Sequence, residues 1–176
     1  MDNKHQALLI IDMINNFNFK HGPILAKKTL NITQPIKSLK DYFNQKNWPV
    51  IFINDHYSLW QANLDKIVEF CRNSYSDPLF KQLLPGENDY FLIKPKHSAF
   101  YGTALNTLLH QLKIDTLVLT GIAGNICVLF TANDAYMREY KIIVPENCIA
   151  SVDDNDNRVA LTMMKNVLKA TIEPFS

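Results

Sequence analysis

The sequence predicts an α/β fold of three layers, α/β/α, around an open and mostly parallel sheet of about six strands in a Rossmann-like arrangement. Three observations carry this. Apolar runs of strand length, such as Ala7-Leu8-Leu9-Ile10-Ile11, are continuous rather than alternating, as strands buried on both faces require. Between these runs lie segments whose apolar residues recur every third or fourth position, as in Ile36, Leu39 and Phe43. Strand and helix then alternate along the whole chain, which implies right-handed crossovers and helices on both faces of the sheet. No repeat, low-complexity tract or linker divides residues 1–176, so the chain reads as one domain.

The elements follow in order. Residues 7–11 form the first strand and end in Asp12. Residues 32–47 read as a helix, and Pro49-Val50-Ile51-Phe52-Ile53-Asn54 as the second strand. Residues 55–78 show no strong period and read as a long functional loop with a short helix. Tyr90-Phe91-Leu92-Ile93-Lys94 is the third strand, followed by a helix over 103–112 with Thr103 as its N-cap. Thr116-Leu117-Val118-Leu119-Thr120 is the fourth strand, 125–140 a helix, and Lys141-Ile142-Ile143-Val144-Pro145 the fifth strand. Ser151 or Asp153 caps a helix that runs to about Ala170, and residues 171–175 offer a last strand.

Composition narrows the class. The chain has 47% apolar and 20% charged residues and a formal net charge of +1. That balance gives no bulk attraction to nucleic acid or to a membrane surface. Its apolar runs are far too short to span a bilayer. Residues 1–5 lead directly into the first strand and leave no room for a signal peptide. Cys71, Cys127 and Cys148 are odd in number and widely spaced, which fits neither a disulfide framework nor a zinc site. A reducing cytoplasm is the expected compartment.

Chemistry concentrates at strand ends. Gly121-Ile122-Ala123-Gly124-Asn125-Ile126-Cys127-Val128 joins the fourth strand to the following helix. It therefore places Cys127 near a helix N-terminus at the carboxyl edge of the sheet, where α/β folds bind ligands. The helix dipole and free backbone N–H groups there are expected to lower the thiol pKa and to hold an anion, so the segment reads as a nucleophile with its oxyanion hole. Asp12 and Lys94 close two other strands on the same edge; Asp12 can take the thiol proton, and Lys94 can stabilise both carboxylate and thiolate. An alternative from the same residues is an Asp12 that caps a turn, a solvated Lys94 and a Cys127 that is a small apolar core residue.

Three segments in order resemble the isochorismatase-like cysteine hydrolase superfamily, which includes nicotinamidases, carbamoylsarcosine-type amidases and isochorismatases. They are Leu9-Ile10-Ile11-Asp12-Met13-Ile14-Asn15-Asn16-Phe17, Lys94-Pro95-Lys96-His97-Ser98-Ala99-Phe100-Tyr101-Gly102-Thr103, and the Gly121 to Val128 segment. The resemblance implies a catalytic triad of Asp12 as general base, Lys94 and Cys127 as nucleophile. Lys94 is taken over Lys96 because the family lysine lies four positions before the serine, here Ser98. It also implies a cis peptide bond before Ala123, whose N–H with that of Cys127 would form the oxyanion hole. The implied reaction is hydrolysis of a small-molecule amide through a thioester, with ammonia released and Asp12 activating the hydrolytic water. The implied assembly is a homo-oligomer, dimer or tetramer.

Nicotinamidases carry a metal site after the second strand, Asp-x-His with a further histidine. Here the segment reads Asn54-Asp55-His56 and no histidine follows until His97, so no metal and no cofactor are expected. Asp55, His56, Tyr57 and Trp60 are expected at the pocket mouth, and Phe17, Phe100 and Tyr101 as an apolar wall, although each aromatic could equally pack in the core. His97 could face the site or cap a turn. Two other functions remain open: a vinyl-ether hydrolase with an idle thiol, and a binding protein without catalysis on the same scaffold.

Overall fold

A computed structural model describes residues 5–175. The amino-terminal stretch read as leading straight into the first strand lies, up to Lys4, outside the described residues. The strands are β1 (Gln6–Ile11), β2 (Val50–Asp55), β3 (Tyr90–Lys94), β4 (Thr116–Ile122), β5 (Lys141–Ile143) and β6 (Ile149–Ala150). They form one sheet in the order β3-β2-β1-β4-β5, with β6 also on β4. Every pairing is parallel. The helices are α1 (Gly22–Gln45), α2 (Leu64–Cys71), α3 (Asp77–Phe80), α4 (Leu105–Gln111), α5 (Leu129–Tyr136) and α6 (Asp154–Asn166).

The period of two in β1 divides the core between two layers. Ala7, Leu9 and Ile11 pack with residues of α4, α5 and α6, among them Leu105, Ala132 and Met164. Leu8 and Ile10 pack with residues of α1, α2 and α3, among them Ile36, Ile67 and Leu79. These five residues of β1 are fully buried. Fully burying a Leu or Ile side chain stabilises by about 1.5–3 kcal/mol, and β1 does so on both faces. That is why its sequence is an unbroken apolar run.

The departures from the predicted elements have local causes. α1 begins ten residues before the expected start, at Gly22, with Pro23 in its first turn. Leu25, Ala26, Thr29, Ile32, Thr33, Ile36, Leu39 and Phe43 form one buried stripe, which carries the helix through Pro35 despite the missing N–H. The buried Thr29 and Thr33 hydroxyls donate to the carbonyls of Leu25 and Thr29 at 2.7 and 2.8 Å. The helix expected over 125–140 opens instead as a π-helical turn, Gly124–Val128, before α5. Residues 171–175 add only an isolated bridge, Thr171 to Ile143, while β6 was not foreseen. Two residues are too short to show a period.

Gly121 sets how closely β1 and β4 approach at the reactive edge. It pairs with Ile11 and takes φ +108°, and a Cβ there would come within 2.1 Å of the Ile11 carbonyl oxygen. The obstacle is backbone, so it cannot rotate away. Gly121→Ala is expected to lower stability by about 2–4 kcal/mol, from overpacking and a forced left-handed side chain. A urea midpoint indistinguishable from that of the unchanged protein would contradict this.

Candidate active site

The carboxyl edge of the sheet brings together Asp12, Lys94 and Cys127. β1 ends at Ile11, and Asp12 continues the ladder by donating its N–H to the Ile53 carbonyl at 3.0 Å. Asp12 itself takes φ +52°, a left-handed conformation that aspartate tolerates better than most residues, and this turns the chain out of the sheet. Lys94 ends β3, two strands away, opposite Asp55 of β2. Neighbouring strands lie about 4.8 Å apart, so only a long side chain can reach from β3 across the end of β2 to β1. The Lys94 ammonium does so and ends 2.9 Å from Asp12 Oδ2, with the two side chains 2% and 9% exposed. Lys94 Nζ also donates to the Lys96 carbonyl at 3.0 Å and to Cys127 Sγ at 3.5 Å. All three ammonium donors thus have acceptors, which a charge buried this deeply requires. The other oxygen, Asp12 Oδ1, accepts the Asp55 N–H at 2.9 Å.

Cys127 arrives from the opposite side, in the π-helical turn that follows β4. The Ile122–Ala123 peptide bond is cis. The Ala123 carbonyl accepts the N–H groups of Ile126 and Val128 at 3.0 and 3.2 Å, passing over the Cys127 N–H between them. Two side chains not singled out from the sequence anchor this turn. Ser151 Oγ accepts the Asn125 N–H at 3.0 Å and donates to Asn157 Oδ1 at 2.7 Å. Thr131 Oγ1 donates to the Cys127 carbonyl at 2.7 Å and accepts the Ala99 N–H at 3.0 Å, which ties the Cys127 turn to the loop after Lys94. Ser151 had been read only as a helix cap, and Thr131 lies inside a helical pattern with no cue to its partner.

The electrostatics correct one expectation. The Cys127 thiol is pushed up to about 12, not down: burial comes first, the Asp12 carboxylate second, and Lys94 offsets only part of this. Burial pushes Cys71 and Cys148 up to about 12 as well. Cys127 is therefore not set apart from the other two by a lowered pKa; what distinguishes it is access, since Cys71 and Cys148 are buried and Cys127 is partly exposed. The dipole of a single turn does not outweigh desolvation beside a carboxylate. For Lys94, burial would push the ammonium down, but the Asp12 carboxylate and the Cys127 sulfur carry it above its ordinary value. The resting site therefore holds a charged lysine and a protonated thiol. The solvated Lys94 of the alternative reading is not what the fold builds.

The residues expected around a pocket divide. Asp55 is half-buried and serves through its backbone, while its Oδ1 accepts the Tyr57 N–H at 2.7 Å. Phe17 is buried with Leu8 and Ile10 and borders a depression of about 350 Å³ shared with Asn16, Phe70 and Tyr75. Trp60 and Tyr101 are 68% and 61% exposed, so neither walls an enclosed pocket here. Phe100 is buried, with its ring 6.0 Å from that of Tyr140 and the Arg138 guanidinium 4.7 Å above it. An apolar ring beneath a guanidinium is satisfied as core. His97, left open by the sequence, stands with Nδ1 4.0 Å from Cys127 Sγ.

Asn54, next to last in β2, is a further residue that shapes the site. It is fully buried, donates Nδ2 to the Ile14 carbonyl at 2.5 Å and accepts the Ile14 N–H. Tyr57 donates its hydroxyl to the same carbonyl at 2.8 Å. These bonds hold the loop after Asp12 against the end of β2. They also leave the segment unsuited to a metal. Asn54 is an amide committed to backbone, and His56 stacks on Trp60 at 4.0 Å while Nδ1 accepts the Ser58 N–H. Among the described residues, no three His, Cys, Asp or Glu side chains group as metal ligands.

Among the described residues, no helix is long and apolar enough to cross a membrane. Comparison with known proteins adds the family. Residues 6–173 match the model of the isochorismatase domain. An isochorismatase family protein of Bacillus subtilis (strain 168), YaaI, itself described as uncharacterized, is 59% identical over 172 residues, 98% of this chain and 95% of its own. The crystal structure of the nicotinamidase SaPncA from Staphylococcus aureus superposes with a TM-score of 0.76 at 29% identity, covering 98% of this chain and 99% of that one. That of N-carbamoylsarcosine amidase from Thermoplasma acidophilum superposes at 0.73 and 29% identity, covering 96% and 95%. A match along nearly the whole chain, on a parallel sheet whose edge gathers Asp12, Lys94 and Cys127, makes this protein a member of the isochorismatase family and a hydrolase.

Proposed function

We propose that this chain is a cysteine amidohydrolase that releases ammonia from a small-molecule amide or N-carbamoyl compound, with Asp12, Lys94 and Cys127 as its catalytic triad. The observation that carries the reading is the Lys94 ammonium, buried and in contact with both Asp12 Oδ2 and Cys127 Sγ. A chain that needed only a fold has no use for a charge buried between a carboxylate and a thiol, because an apolar residue of similar volume is as stable or more so. The similarity to a nicotinamidase and to N-carbamoylsarcosine amidase supports the same class of bond.

The protonated thiol fits a concerted first step. As Sγ attacks the carbonyl carbon, its proton passes to Asp12, and Lys94 stabilises the negative charge that forms on sulfur. The carbonyl oxygen takes the displaced electron pair and is held by the Ala123 and Cys127 N–H groups. The C–N bond breaks as Asp12 returns the proton to nitrogen, leaving ammonia and a thioester on Cys127. Water then hydrolyses the thioester to the acid and the free thiol. Because the site residues do not fit a metal, no step is routed through one.

Two measurements test this. Ammonia release should be assayed on primary amides and N-carbamoyl compounds, nicotinamide included. Release is expected from at least one, with Cys127→Ala reduced to background while remaining folded; turnover by Cys127→Ala would contradict covalent catalysis, and silence across the panel would favour the non-amide alternatives. The second concerns the thiol. Asp12→Asn removes the carboxylate that raises Cys127 and leaves Lys94, which lowers it, so iodoacetamide at about pH 8 should alkylate Cys127 roughly tenfold faster than in the unchanged protein. An equal or slower rate would show that the Asp12 carboxylate does not raise the thiol.

A further inference from the structure

His97 occupies the solvent side of the nucleophile. Its ring is exposed, yet Nδ1 lies 4.0 Å from Cys127 Sγ. The imidazole packs on Phe130 of α5, centroids 5.6 Å apart, which keeps it over the thiol. Asp12 is placed the other way. It is buried, its Oδ2 is held by Lys94 and its Oδ1 by the Asp55 N–H. Of these two proton acceptors beside Cys127, only His97 is open to solvent.

We propose that His97 is the general base for the second half of the reaction, hydrolysis of the thioester. The inference rests on the amidase reading and concerns only the step after ammonia has left. With the imidazole proton on Nε2, Nδ1 is free to accept. The water oxygen bonds to the acyl carbon as Nδ1 takes one of its protons. The C–S bond then breaks, the carboxylic acid departs, and the imidazolium returns the proton to Sγ across the short gap between them. The thiol and the neutral imidazole are both restored, and no other reactant is consumed. The two halves of the cycle thus use two proton carriers: Asp12 on the buried side for attack on the amide, His97 on the open side for water. This moves water activation from Asp12, where the family resemblance puts it.

The test uses p-nitrophenyl acetate, which acetylates a reactive thiol whether or not the chain cleaves any amide, so its result is separable from the ammonia assays. Intact mass follows loss of the acetyl group, with Cys127→Ala marking the site. His97→Gln should become acetylated once per chain and lose the acetyl group about 100-fold more slowly than the unchanged protein, the usual scale of general-base assistance. Free imidazole added to His97→Ala should restore the loss. Deacetylation of His97→Gln at the unchanged rate would overturn the proposal, as would a slowing in His97→Ala that imidazole does not relieve. Slow deacetylation together with no ammonia from any amide would uphold the role of His97 and reject only the amide as substrate.

Discussion

One buried ion pair organises the reactive edge of this protein. Lys94 and Asp12 meet at 2.9 Å with almost no solvent at either side chain. Neither charge is tolerable there alone, since an unpartnered buried ion costs several kcal/mol. The pairing dictates where the surrounding backbone must go. Asp12 leaves β1 in a left-handed conformation, the Asp55 N–H is drawn to the second carboxylate oxygen, and the loop after Lys94 folds back so that the Lys96 carbonyl can serve the ammonium. Cys127 completes the set from the other side of β1, on a turn held by Ser151 and Thr131. The sheet order β3-β2-β1-β4 brings these groups to one place, because strands that are distant in sequence end at the same edge.

The same arrangement sets the chemistry. Burial and the neighbouring Asp12 carboxylate raise the Cys127 thiol, so it rests protonated, and in the proposed mechanism its proton passes to Asp12 as it attacks. In the proposed mechanism the charged lysine is in place before negative charge forms on sulfur, which is electrostatic preorganisation. The buried side of the thiol is closed by charged partners, while its open side carries His97. The proposed division of labour, Asp12 for the thiol proton and His97 for water, rests on that asymmetry.

Much of this was legible in the sequence because the signals were local. Continuous apolar runs announced β1 to β4, and the polar residue closing β1 and that closing β3 proved to be the ion pair itself. What the sequence did not disclose depends on contacts distant along the chain. Asn54 is a polar residue near the end of an apolar strand, as Asp12 is, but only the fold shows its amide committed to Ile14. Phe100 stands within a motif that points to the site, yet its ring turns to Arg138 and Tyr140. A helix N-terminus is visible in sequence, whereas the depth of burial and the approach of Asp12, which set the direction of the thiol shift, are not. The early start of α1 was hidden by Pro23 and by a buried stripe that mixes threonine with apolar residues.

The central claim is that Asp12 and Lys94 act as one unit, and a double-mutant cycle measures it directly. Urea unfolding of Asp12→Asn, Lys94→Met and the double variant gives the coupling between the two side chains. Each single change should cost about 3–5 kcal/mol, because it strands a buried charge, while the double variant should cost far less than their sum. Additive losses would mean that the two groups do not depend on each other, and the account of the reactive edge built on their pairing would fail.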